Sequence, residues 1–275
     1  MLATLLQEEL LSKGRGYLQV LAVLAVAGIG AFAVGTVPAL MGAELLTTLT
    51  FTIVIVDFLV AVPIVVVSEL IDYWQSMYGQ RGYLTMSIPA RGREVFGAKV
   101  VFSLAVTLVS IIFAALGVAA VVIGSAWVRG VTVDSLISPL HEVIDAVGTG
   151  FFWGFVVFLV LQLLSWVVIT EAVMSLGAQA RWNRMGIAAP IIGVLLVYLI
   201  NQVLMVVAII LVPVGLDLAS HQIVSEGSLP SMVETWGTGE DLSVLGLGFL
   251  PVPLLLALVL AWRAVPAIER RTSLR

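Results

Sequence analysis

The chain alternates long runs without a charged residue and short stretches rich in charge. Residues 16–43, 100–128, 146–170, 185–216 and 242–262 contain no Asp, Glu, Lys or Arg, and residues 45–68 contain only Asp57. A helix needs about 20 mostly apolar residues to cross the hydrocarbon core of a bilayer, and each run is long enough. The runs are apolar on every side rather than along one stripe, and Gly and Ala recur in them, as close helix packing in lipid favours. The pattern predicts an all-α polytopic membrane protein with six transmembrane helices. The first twelve residues differ: Leu2, Leu5, Leu6 and Leu10 fall at helical spacing while Gln7, Glu8 and Glu9 lie elsewhere. Gly14 and Gly16 are expected to break this run, giving an amphipathic interfacial helix over residues 1–15 that turns into the first span.

Composition agrees with this pattern. Of 275 residues, 61% are apolar and only 11% are charged, too few to cover a water-soluble fold. A chain of this length is expected to be one membrane domain, residues 1–275. Absent cysteine excludes disulfides and thiolate metal sites. His141 and His221 lie far apart in polar segments, so no metal site is expected. The start of the chain, with Glu8, Glu9, Lys13 and Arg15, lacks the ordered basic, apolar and small-residue regions of a cleaved signal, and the first run reads as a retained helix.

The charges fix a direction. Lys13 and Arg15 precede the first span. Arg81, Arg91, Arg93 and Lys99 lie between the second and third spans. Arg181 and Arg184 lie between the fourth and fifth, and Arg263, Arg270, Arg271 and Arg275 follow the core of the sixth. Only Arg129 falls on the other side. The positive-inside rule therefore predicts a multi-pass protein of the cell membrane with both termini in the cytoplasm. The segment 214–241, with Asp217, Glu226, Glu234, Glu240 and Asp241, is then external. It is too long for a turn and is expected to form a small cap, either a solvated connector or a lid over an exit.

The segment 69–99 carries the densest signal. It holds Asp72, Tyr73, Trp74, Met77, Tyr78, Gly79, Arg81, Gly82, Tyr83 and Leu84, with turns expected at 79–82 and 89–92. Tyr, Trp and Arg anchor protein interfaces, so this loop reads as a docking site for a cytoplasmic protein. Aromatics at the lipid interface with topology-fixing arginines are the alternative.

Within the spans, Asp57 is an ionisable residue near the middle of the second. Such a group costs about 2.5–3.5 kcal/mol on insertion scales and marks a functional position or a buried structural carboxylate. Gln162, Asn201 and Gln202 are candidates to line a path or to bridge helices. Glu69 and Glu171, at cytoplasmic span ends, read as interfacial residues or, with Arg181 and Arg184, as candidates for a cytoplasmic gate. No Gly-x-x-x-x-Gly-Lys-[Ser/Thr], His-Glu-x-x-His or Gly-x-Ser-x-Gly sequence occurs, so the chain offers no phosphate loop, zinc-protease pair or nucleophile elbow, and no catalytic residue is assigned.

The run Tyr78-Gly-Gln-Arg-Gly-Tyr-Leu-Thr-Met-Ser-Ile-Pro89, followed by basic residues and by Gly97-Ala-Lys99 at the head of a long apolar helix, resembles the permease subunits of ABC type-2 exporters. Gly82, Tyr83, Leu84, Thr85, Ile88, Pro89 and Lys99 carry the likeness. An interfacial N-terminal helix, six spans, inside termini and a larger last external loop extend it over most of the chain. The resemblance implies a pair of permease subunits, identical or homologous, docked on two separate ABC ATPase subunits through a coupling helix, placed near residues 72–81. It implies that ATP and Mg²⁺ are held by those partners, with no cofactor in this chain and no nucleic-acid partner. An apolar or amphipathic substrate would move outward. An ion- or proton-coupled carrier using Asp57, or a membrane scaffold without transport, are the competing readings.

Overall fold

The computed structural model describes residues 1–79, 81–87, 89–179, 185–186, 188–217, 222–236 and 243–271. The chain divides into two compact units, Met1–Glu142 and Val143–Arg275. Helices α1 (Leu2–Leu40), α2 (Glu44–Met77), α3 (Gly82–Ser87) and α4 (Gly92–Arg129) belong to the first. Helix α5 (Val133–Val147) carries the chain from one unit to the other. The second holds α6 (Thr149–Gly177), α7 (Ala188–Leu211), α8 (Ser228–Thr235) and α9 (Val252–Arg271), with strands β1 (Gly215–Asp217), β2 (Gln222–Val224) and β3 (Val244–Gly246). Among the described residues six helices, three in each unit, are long and apolar enough to cross a membrane, and each overlaps one of the runs read from the sequence. The chain is an all-α, multi-pass membrane protein in its build.

In the first unit α1, α2 and α4 pack on one another. With lipid on the outside there is no hydrophobic drive between helices, and small residues that admit neighbouring side chains hold the contact. Phe58 illustrates this. Its ring fills a notch with Gly28 of α1 on one side, where an added Cβ would lie 2.8 Å from Cζ, and Gly117 of α4 on the other, where an added Cβ would overlap the ring. Phe51, Val54 and Val121 complete this layer, and Leu21, Ala61 and Val65 form another. At 39, 34 and 38 residues, these helices run about 50–60 Å, well beyond a hydrocarbon core of about 30 Å. Their ends therefore project as folded helix.

That length explains two departures from the sequence reading. The expected interfacial helix over residues 1–15 does not separate from the first span: α1 continues through Gly14 and Gly16. Glycine costs a helix only about 1 kcal/mol, and the Glu9–Lys13 ion pair and the contacts described below hold this turn. Residues 72–77 likewise do not form a separate short helix but are the last turns of α2. Tyr73 and Met77 are buried there against the bundle, as is Tyr78 just after it. The turn at 79–82 does form, closed by Gly82 N–H donating to Gly79 O at 2.9 Å, and the short helix follows it, as α3. The carboxylate of Glu94 accepts the Arg91 N–H at 3.1 Å and starts α4.

In the second unit α6 packs on α7 and α9 around Ile169, Val173 and Ala257. The segment expected as an external cap is a three-stranded antiparallel sheet in the order β2-β1-β3, with Leu216 opposite both Ile223 and Leu245, plus α8. The cap extends past the expected boundary at 241, and the last span starts at Val252 rather than at 242. Gly246 and Gly248 cause this: they bring the chain against the carbonyls of Ile209 and Ala208 in the last turns of α7, where any side chain would collide.

Candidate functional site

Charged and hydroxyl side chains gather at the end of the first unit where α1 begins, α2 ends and α4 begins. The charged ones sit just beyond the charge-free part of their helices. Glu9 lies one turn before Lys13 on α1, and Lys13 Nζ is 2.6 Å from Glu9 Oε2 and 2.5 Å from Asp72 Oδ2 on α2. Lys99 Nζ, on α4, is 2.6 Å from Glu9 Oε1 and donates to Ser76 Oγ on α2 at 2.9 Å. Glu69, one turn before Asp72, accepts from Ser103 Oγ at 3.0 Å and is hydrogen-bonded to the Tyr17 hydroxyl. Lys99 and Glu69 are only 4% and 3% exposed, so the Lys99–Glu9 pair lies inside the bundle and is not a surface salt bridge, and Glu69 is held there by two hydroxyls. Phe102 roofs the group, with its ring 6.0 Å from that of Tyr17 and 5.8 Å from Lys13 Nζ. The network ties three helices together, and truncating one partner of such a pair strands a buried charge.

Ser76 joins this network to the short helix. While its hydroxyl accepts from Lys99, its carbonyl accepts from Thr85 Oγ1 of α3 at 2.7 Å. Gly82 is buried at the start of α3, whereas Tyr83 is 63% and Leu84 55% exposed. A short helix is thus seated on the end of α2 with two large side chains turned outward.

The residues singled out in the sequence divide accordingly. Asp72 and Lys99 belong to the ion network. Tyr73, Met77 and Tyr78 are buried, and Trp74 is half-buried with its ring 5.4 Å from that of Tyr78. Tyr73, Met77 and Tyr78 therefore offer almost no surface to a docking partner. Gly79 makes the turn, and Arg81, Tyr83, Leu84 and Pro89 are exposed around it. Glu69 bonds to Tyr17 and Ser103 in the first unit. Glu171 is fully buried on α6, where its carbonyl accepts from Ser175 Oγ at 2.9 Å. Arg181 and Arg184, the other half of the expected gate, lie outside the described residues.

The expected path residues fall in both units, Asp57 in the first and Gln162, Asn201 and Gln202 in the second. Asp57 faces α1 at Gly28, and its Oδ2 is buried without a hydrogen bond among the described residues. Gln162 lines a cavity of about 310 Å³ in the second unit with Phe158, Ser165 and Pro253. Its Oε1 is also without a hydrogen bond among the described residues. Asn201 is buried on α7, donating to Met205 Sδ at 3.1 Å, while its neighbour Gln202 points outward and donates to the Tyr198 hydroxyl at 2.9 Å. A second cavity, of about 370 Å³, lies between α6 and α7 and is lined by Val173, Leu176, Ile192 and Leu196.

Sequence reasoning missed Glu9, Lys13, Tyr17, Ser76 and Ser103. The spacing of Glu9 and Lys13, four apart with the acid first, was the available sign of a helix continuing through this stretch. Comparison with family models, with curated proteins and with solved structures found no match for the chain.

Proposed function

We propose that the chain is the membrane-spanning subunit of an ATP-driven exporter of the ABC type-2 kind. The observation that carries this reading is the connection from α3 to the bundle: Tyr83 and Leu84 project outward, Thr85 bonds to Ser76, and Ser76 bonds to the lysine that holds α1 to α4. In this reading the α3 end faces the cytoplasm, in line with the distribution of Lys and Arg. Tyr83 and Leu84 enter a cleft on an ATPase subunit. ATP binding draws two such ATPases together, and the displacement of α3 reaches α2 through its seat and α1 and α4 through the ion network. The helices then move as one lever because their ends are locked. ATP and Mg²⁺ sit on the partner, and a second permease subunit, identical or homologous, completes the pathway.

The coupling helix of this reading is α3, not residues 72–81. An apolar or amphipathic cargo moving outward is in keeping with the apolar lining of the cavity between α6 and α7. A photo-crosslinking residue at position 83 or 84 tests the docking step in native membranes. Capture of a phosphate-loop ATPase is the expected product, and crosslinks to lipid alone would remove the basis for the proposal.

A second reading rests on Asp57. A buried carboxylate oxygen without a hydrogen bond among the described residues, inside a span, suits an ion- or proton-coupled carrier.

A further inference from the structure

Helix α5 is the most amphipathic helix among the described residues. Val133, Leu136, Ile137, Leu140, Val143, Ile144 and Val147 fall on an arc of about 120° at 100° per residue, opposite Asp134, Ser138, His141, Glu142 and Asp145. A stripe this regular normally packs on a core, yet none of the residues in α5 is buried, and Val133, Leu140 and Val143 are 37%, 45% and 51% exposed. Its height is fixed by its tethers. Residues 130–132 separate it from the end of α4, and Gly148 alone separates it from α6. Gly130, in the left-handed region at φ 67°, ends α4 sharply, so the chain turns at once. On either side stand Trp127, 86% exposed near the end of α4, and Trp153, 58% exposed in the first turns of α6. Exposed tryptophans at helix ends mark the level of the membrane–water interface.

We infer that α5 is an interfacial helix whose apolar stripe lies among the acyl chains at the edge of one leaflet, with its polar face in water. Its charge selects the kind of lipid contact. Residues 130–148 contain no Lys or Arg, and the polar face carries Asp134, Glu142 and Asp145. Amphipathic helices held by anionic headgroups are rich in Lys and Arg on that face. Here the stripe and the two short tethers hold the helix, and zwitterionic lipid suffices. The inference concerns the bilayer alone and does not depend on a partner ATPase.

The absence of cysteine makes the test direct. Single cysteines replacing Leu140, Ile144, Ser138 and Asp145 in the full chain are nitroxide-labelled and reconstituted in phosphatidylcholine nanodiscs. Collisions with oxygen, which concentrates in lipid, are compared with collisions with a water-soluble nickel chelate. At positions 140 and 144 the oxygen-to-nickel ratio is expected to exceed that at 138 and 145 severalfold, unchanged when anionic lipid is added. Equal nickel access at all four positions would put the helix in water and overturn the inference. Shielding of 140 and 144 from both reagents would overturn it in favour of a protein cover, a second copy or another partner. Leu136 and Ser135 provide an independent pair should one of the first four variants fail to fold.

Discussion

Lys99 Nζ lies 2.6 Å from Glu9 Oε1, joining two residues 90 positions apart and closing α4 onto the first turns of α1. Glu9 serves two lysines. With Glu9→Gln, Lys13 keeps Asp72, but Lys99 loses its carboxylate partner and remains buried with Ser76. With Lys99→Met, Glu9 keeps Lys13. Stranding a buried charge costs about 3–5 kcal/mol, so Glu9→Gln lowers the thermal unfolding temperature in detergent more than Lys99→Met. The double variant is no less stable than Glu9→Gln alone, because the second change removes the stranded charge. Equal and additive losses would mean that the two residues do not interact.

The notch around Phe58 yields a second expectation. Gly117→Ala drives a methyl group into a ring that Gly28 blocks from retreating, and overpacking of this kind costs about 1–3 kcal/mol. Gly30, on α1, has open space where its Cβ would be, so Gly30→Ala is neutral or gains up to about 1 kcal/mol of helix propensity. Thermal unfolding of the two variants side by side separates packing from propensity.

Thr85→Val keeps the shape of the side chain and removes its hydrogen bond to Ser76 O. A lost hydrogen bond of this kind costs about 1 kcal/mol, which raises the population of the detached α3 about fivefold. Trypsin cleavage after the exposed Arg81 is expected to accelerate by about that factor, while cleavage elsewhere in the chain keeps its rate.

The spans were legible because a single physical requirement, roughly 20 residues without a charge, writes them into the chain. Where that requirement stops, so did the reading. Gly14 and Gly16 predict a break by local propensity, whereas Asp72 and Lys99, distant in sequence, supply partners of Lys13 and Glu9 that hold the helix through them. Tyr73, Met77 and Tyr78 looked like interface anchors, since burial against the bundle and burial against a partner call for the same residue types. Tyr83 and Leu84, from the same stretch, are the ones left outward. The stripe of α5 is present at helical spacing from Val133 to Val147, but Asp134, Glu142 and Asp145 keep most of it outside the charge-free runs that mark the spans. The three-residue strands β1, β2 and β3 are too short to show a period of two, and the cap was visible only as a loop of excess length.

Hydrolysis of ATP by the chain isolated with its partners from native membranes tests the central claim most directly. The full chain is expected to carry a vanadate-sensitive ATPase activity through purification. The activity is expected to disappear with Tyr83→Asp and Leu84→Asp, whose side chains face outward and leave the bundle intact, and to remain with Asp57→Asn. An absence of hydrolysis with the unaltered chain, or hydrolysis undiminished by the Tyr83 and Leu84 changes, would contradict the account.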